Sequence, residues 1–124
     1  MWEILFWIYL VNAVLIINHE IDSAYWHEWE LFHLPGSITG FLLLHFPLLF
    51  VVLYGLVLVF QQTAAGLILS LVLSLGGLFA FTIHTYFIRR GREEFKGPMS
   101  QFILAATLIV SLIQAILTIY LLLA

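Results

Sequence analysis

Residues 38–60 read ITGFLLLHFPLLFVVLYGLVLVF and contain no aspartate, glutamate, lysine or arginine. A helix needs about 20 mostly apolar residues to cross the hydrocarbon core of a bilayer. The preceding turn, Leu34-Pro35-Gly36-Ser37, is suited to end one helix and to cap the next. The segment therefore predicts a transmembrane helix that begins just after this turn.

Three other segments have a similar length and composition, so we predict four helices, at about 2–21, 38–60, 64–88 and 99–124. Of all residues, 64% are hydrophobic and 9% are charged, whereas a soluble domain carries about 25% charged residues. Lipid must therefore cover the surface of this chain. We predict an all-α integral membrane protein in which residues 1–124 form a single domain, a bundle of four transmembrane helices.

The basic residues predict the orientation of the bundle. All four lie in the third connection, at Arg89, Arg90, Arg92 and Lys96, and cytoplasmic loops are enriched in lysine and arginine. Four spans then place both termini outside and the polar, aromatic segment 18–37 on the cytoplasmic side. We expect the protein to be integral to a bacterial or archaeal cytoplasmic membrane.

Composition also excludes several functions. A net charge of −3 with only four basic residues provides no surface for a phosphate backbone, so we expect no nucleic-acid partner. The chain has no cysteine. Disulfides, thiolate metal sites and cysteine nucleophiles are therefore absent.

Two helices carry small and polar residues along one face. Small residues allow helix backbones to approach closely, and polar side chains within lipid point into the bundle. We therefore predict that both faces pack inward and that His84 faces the interior. The faces comprise Gly66, Ser70, Ser74, Gly77, Phe81 and His84 on the third helix, and Ser100, Thr107, Ser111, Gln114 and Thr118 on the fourth.

The segment 18–33, NHEIDSAYWHEWELFH, concentrates the polar chemistry of the chain. It holds three of the five histidines and four of the seven acidic residues. The pairs His19/Asp22 and His27/Glu30 are three residues apart, which places both members on one helix face, as in helical bundles that bind metals. This spacing favours a metal site near the end of the first helix.

Two histidines on other helices strengthen this interpretation. His45 lies near the start of the second helix and His84 near the end of the third, so both should lie at the depth of His19. Imidazole and carboxylate ligands without thiolate suit zinc or iron. The candidate metal ligands are His19, Asp22, His27, Glu30, His45 and His84.

A metal with an open coordination position could activate water against an ester or amide of a lipid-like substrate, with Glu20 or Glu28 as the general base. Hydrolysis and oxidation both remain open, as does whether the protein is an enzyme at all. Membrane lipids are the expected partners.

Two other classes of function fit the same residues. His45 and His84 alone could ligate a haem b axially, as in a small membrane cytochrome. The protein could instead be a non-catalytic accessory subunit or a small channel, assembling with a partner membrane subunit or with further copies of itself. In that case the acidic residues would pair across the membrane surface with Arg89, Arg90, Arg92 and Lys96.

The run His19-Glu20-Ile21-Asp22-Ser23, followed by aromatic residues and Pro35-Gly36, resembles the HxxEE-type families of small bacterial membrane proteins, whose function is uncharacterised. Asp22-Ser23 stands where that pattern has two glutamates. The resemblance implies a membrane protein with a functional patch at the end of one helix, in which Asp22 takes the acidic position.

Overall fold

The computed structural model describes all 124 residues and contains five helices: α1 (Trp2–Tyr25), α2 (Glu28–Leu31), α3 (Ser37–Phe60), α4 (Ala64–Arg89) and α5 (Pro98–Leu123). The four long helices are each long and apolar enough to cross a membrane. The prediction of an all-α, four-helix membrane bundle is therefore confirmed. The outward orientation of the termini stays a prediction.

The long helices form a ring in which each packs against the next: α1 against α3, α3 against α4, α4 against α5, and α5 against α1. The helices α1 and α4 lie diagonally and share few contacts. Large apolar side chains such as Phe46, Phe50 and Leu123 remain exposed on the outside, as expected of a surface that lipid covers.

The interior of the bundle is held by a polar network. Asn12 Nδ2 donates to Gln114 Oε1 at 2.8 Å, and Gln114 Nε2 donates to the backbone oxygen of Ser70 at 3.1 Å. The Ser70 hydroxyl lies 2.8 Å from that of Thr118. The small and polar faces predicted on the third and fourth long helices are both buried, and only Phe81 is partly exposed. The predicted inward position of His84 is confirmed.

Three local features give the helices their bounds. The first helix continues to Tyr25, four residues beyond the predicted end, and the chain then turns at His27, whose φ of 53° is left-handed. Gly36, with φ of 96°, precedes α3. The Thr63 hydroxyl accepts a hydrogen bond from the amide of Gly66 and so caps the start of α4.

Candidate metal centre

Two buried imidazoles meet at one end of the bundle. His19 comes from the last third of α1 and His84 from the last turns of α4, and each is almost fully shielded from solvent. Their ring centroids lie 4.8 Å apart, with the ring planes inclined at 67°. Diagonal helices that otherwise share few contacts therefore bring two histidines together at the same depth.

A carboxylate joins them from the short helix α2. The left-handed turn at His27 reverses the chain, so that Glu28, the first residue of α2, reaches back to the end of the bundle. Glu28 Oε1 lies 3.8 Å from Nε2 of His84. One ligand atom each from His19, Glu28 and His84 all lie within 4.8 Å of one another, so these three residues could hold a metal ion.

Aromatic side chains cover this cluster. Phe95, from the connection between α4 and α5, is 1% exposed, and its ring centroid lies 4.0 Å from that of His84 and 5.7 Å from that of His19. The indole of Trp26 lies 6.5 Å from the Phe95 ring. The aromatic cover shields the two imidazoles from solvent, and electrostatic contacts are stronger in such a low-dielectric environment.

Several buried polar atoms around the cluster have no hydrogen-bond partner in the protein. Such an atom costs about 1–3 kcal/mol when it is buried unsatisfied. Of the six found in the whole chain, five belong to this one region. They are Nδ1 of His19, Oδ2 of Asp22, Nε1 of Trp26, Oε2 of Glu28 and Nδ1 of His84.

The pKa of Glu28 is raised to about 7, chiefly by burial. The nearby charge of Glu20 contributes to the rise in this pKa, while a hydrogen bond from Ser23 and the charge of His45 oppose it. The Ser23 hydroxyl also lies 3.5 Å from Nε2 of His19. The carboxyl group of Glu28 therefore gains or loses its proton near neutral pH, where a bound cation would replace that proton.

Two candidate residues form a separate pair beside the cluster. His45 Nε2 lies 2.5 Å from Oε2 of Glu20, and His45 Nδ1 lies 2.6 Å from the backbone oxygen of Phe41. A carbonyl oxygen can only accept, so Nδ1 carries a proton and points it at Phe41. Both nitrogens of His45 are thus engaged, and His45 does not belong to the three-residue group.

The other candidate residues lie outside the cluster. His27 and Glu30 are exposed and form a pair at 3.7 Å, with His27 stacked on Trp29. Asp22 keeps one unpartnered buried oxygen but is not among the three grouped residues. The basic residues do not neutralise these acids: Arg92 pairs with Glu94, and Lys96 with Glu93, all within their own connection.

The sequence pattern predicts Glu28 only as a general base, and it gives no indication of Phe95. The position of Glu28 depends on the backbone reversal at His27, and a left-handed residue other than glycine has no reliable sequence signal. Phe95 also has a positive φ, 68°, and it is buried although the other residues of its connection are polar, charged or glycine.

A family model described as "Family of unknown function (DUF6713)" matches residues 5–121. No curated protein and no solved structure matches the chain. Nothing in these findings links the chain to the HxxEE-type families that residues 19–23 resemble.

Proposed function

The chain belongs to the DUF6713 family, which has no assigned function, and on that premise we propose that it is a membrane metalloprotein. Its ion would be held by His19, Glu28 and His84 at one end of the four-helix bundle. The observation that carries the proposal is the convergence of these three ligand atoms within 4.8 Å, from three separate helices.

The ligand set suggests the ion. Two imidazoles and one carboxylate, without thiolate, suit zinc or ferrous iron. Metal bonds to these ligands are about 2.0–2.2 Å long, so the ligand atoms of an occupied site lie roughly 3–4 Å apart. Side-chain shifts of about 1 Å would bring the three residues to that distance.

A purely structural cluster fits the observations less well. The network of Asn12, Ser70 and Gln114 shows how this chain builds a polar contact between helices, since its members bond to one another. Around His19 and His84, by contrast, polar atoms are buried without partners. An ion could accept a lone pair from each of His19, Glu28 and His84, whereas the indole N–H of Trp26 can only donate and would not bind it.

The cytochrome alternative requires His45 as an axial ligand. Both nitrogens of His45 are bonded, to Glu20 and to the backbone oxygen of Phe41. A haem iron would therefore have to break one of these contacts to gain a ligand nitrogen. The cluster of His19, Glu28 and His84 needs only the side-chain shifts of about 1 Å given above, which favours a mononuclear ion.

Three protein ligands would leave a coordination position open for water or a substrate, and an ion held there would supply Lewis acidity. Glu20 lies beside the cluster and is oriented by His45, so it is the candidate general base in this proposal. Glu28 would serve as a ligand.

The test is the metal content of protein purified without a histidine tag and reconstituted in nanodiscs. We expect about one equivalent of zinc or iron in the wild type and about a tenfold loss in His84→Gln and Glu28→Gln. The matched controls are His33→Gln and Glu30→Gln, which change exposed residues on the same side of the bundle. Equal metal content in all five proteins would refute the proposal.

A further inference from the structure

A cavity of about 200 Å³ lies between α1, α3 and α4. Its wall extends from Tyr9 to Glu20 along α1 and from Leu69 to Ala80 along α4. Eleven helical residues span about 16 Å at 1.5 Å per residue. The cavity therefore covers about half of the roughly 30 Å hydrocarbon thickness, which corresponds to one leaflet.

The two ends of this cavity differ in polarity. His19 and Glu20 line one end, beside the candidate metal centre. At the other end the only polar group is the hydroxyl of Tyr9, which already donates to the backbone oxygen of Val52 at 2.7 Å. The remaining wall is apolar, so the cavity matches the polarity profile of a lipid chain below its head group.

The cavity is open to the surrounding membrane. Val51 and Val72 belong to its wall and are about half exposed on the outer surface of the bundle. Hydrocarbon from the bilayer can therefore enter sideways. The volume is too small for a helix of a partner, which is about 10 Å across, but a single extended chain is narrower.

The space beside Gly76 is open, as the cavity requires. Gly76 lies in the wall, and a Cβ atom added to it would meet no atom within 4 Å. At Gly66 and Gly77, by contrast, an added Cβ atom would collide with neighbouring atoms, so packing explains those glycines. Glycine weakens a helix interior, and no packing contact accounts for it at position 76.

We infer that the groove between α1, α3 and α4 binds one acyl chain of a membrane lipid ester, with the ester beside His19 and Glu20. An ester suits this end better than a free fatty acid, because Glu20 and Glu28 would repel a third carboxylate. Contact between the ester and an ion rests on the proposed function, whereas binding of the chain does not.

Photolabelling tests the depth and the direction of the chain. Two phosphatidylcholine probes, with a diazirine next to the ester or at the end of one acyl chain, are placed in trace amounts in nanodiscs that hold the full-length protein. We expect the first probe to label the groove near Ile16 and Ala80, and the second to label it near Tyr9 and Leu69. Equal labelling of both levels by both probes would overturn the inference.

A cavity-filling variant provides the second arm. Gly76→Phe should reduce groove labelling to the level of the lipid-facing residues of α5, while the control Ala105→Phe, on the exposed face of α5, should leave it unchanged. Persistent groove labelling in a folded Gly76→Phe protein contradicts the inference. If that variant does not fold, the smaller change Ala80→Leu replaces it and is interpreted in the same way.

Metal content is measured on the same samples, so that the two proposals can fail separately. Retained metal in Gly76→Phe together with lost groove labelling supports chain binding. Depth-dependent labelling in a wild-type protein that holds no metal refutes the metal centre and leaves the lipid groove standing. A wild-type protein that holds metal but shows no depth-dependent labelling supports the metal centre and refutes the lipid groove.

Discussion

The adjacent glycines of α4 should respond in opposite directions to the same substitution. Gly76→Ala adds a methyl group where no atom lies within 4 Å. Alanine stabilises a helix interior by about 0.5–1 kcal/mol relative to glycine, so Gly76→Ala should raise the free energy of unfolding by that amount. The added group also begins to fill the groove.

Gly77→Ala places its methyl group against α5 instead. The new Cβ atom would collide with the hydroxyl of Ser111 and would lie 3.0 Å from Cγ2 of Thr107. Overpacking of this kind costs about 1–3 kcal/mol. Movement of Ser111 would also weaken its hydrogen bond from Asn12, at 3.0 Å, which contributes about 1 kcal/mol. The sum exceeds the gain in helix propensity, so the variant should be less stable than the wild type.

Equilibrium unfolding of both variants in mixed micelles, followed by circular dichroism, measures the two changes against the wild type. The difference in sign is the informative quantity, because the substitutions are chemically identical and one residue apart. If both variants are stabilised, or both are destabilised to the same extent, the packing of α4 against α5 described above is incorrect.

Other predictions concern orientation and the site. A cysteine introduced at position 124 should react with a membrane-impermeant reagent on intact cells, because the basic connection is expected in the cytoplasm; reaction only after lysis would reverse the topology. His45→Leu should lower stability by leaving Glu20 without its partner, yet it should retain the metal; loss of metal equal to that in His84→Gln would show that His45 is a ligand. Phe95→Ala should lower the free energy of unfolding by about 3–5 kcal/mol and speed removal of metal by a chelator. The lipid-facing Phe102→Ala is its control, and equal chelation rates would refute the role of Phe95 as a cover.

Much of the fold can be derived from hydrophobicity alone, because a bilayer imposes both the length of each span and the inward direction of polar side chains. The four spans and the buried face from Gly66 to His84 follow from these constraints. The end of α1 could not be predicted in the same way. Residues 18–25 are polar enough to leave the membrane, but they remain helical because His19 and Ser23 are buried against the bundle.

Only part of the candidate site could be predicted from the sequence. Positions along the helices predict that His19, His45 and His84 lie at one depth in the membrane, because helix geometry is regular over those distances. The same positions do not indicate that Glu20 and a backbone oxygen engage both nitrogens of His45. Glu28 reaches the cluster through a single left-handed residue, and such a reversal depends on tertiary packing.

The imidazoles of His19 and His84 come from α1 and α4, which are far apart in the sequence, and this separation has a consequence for biosynthesis. His19 is synthesised long before His84, and the 65 residues that separate them take about 3–13 s to add at the usual rate of 5–20 residues per second. During that time α1 and α3 can already pair in the membrane, while His19 and Glu28 have no second imidazole. A metal ion can therefore be captured by all three ligands only after α4 has been inserted.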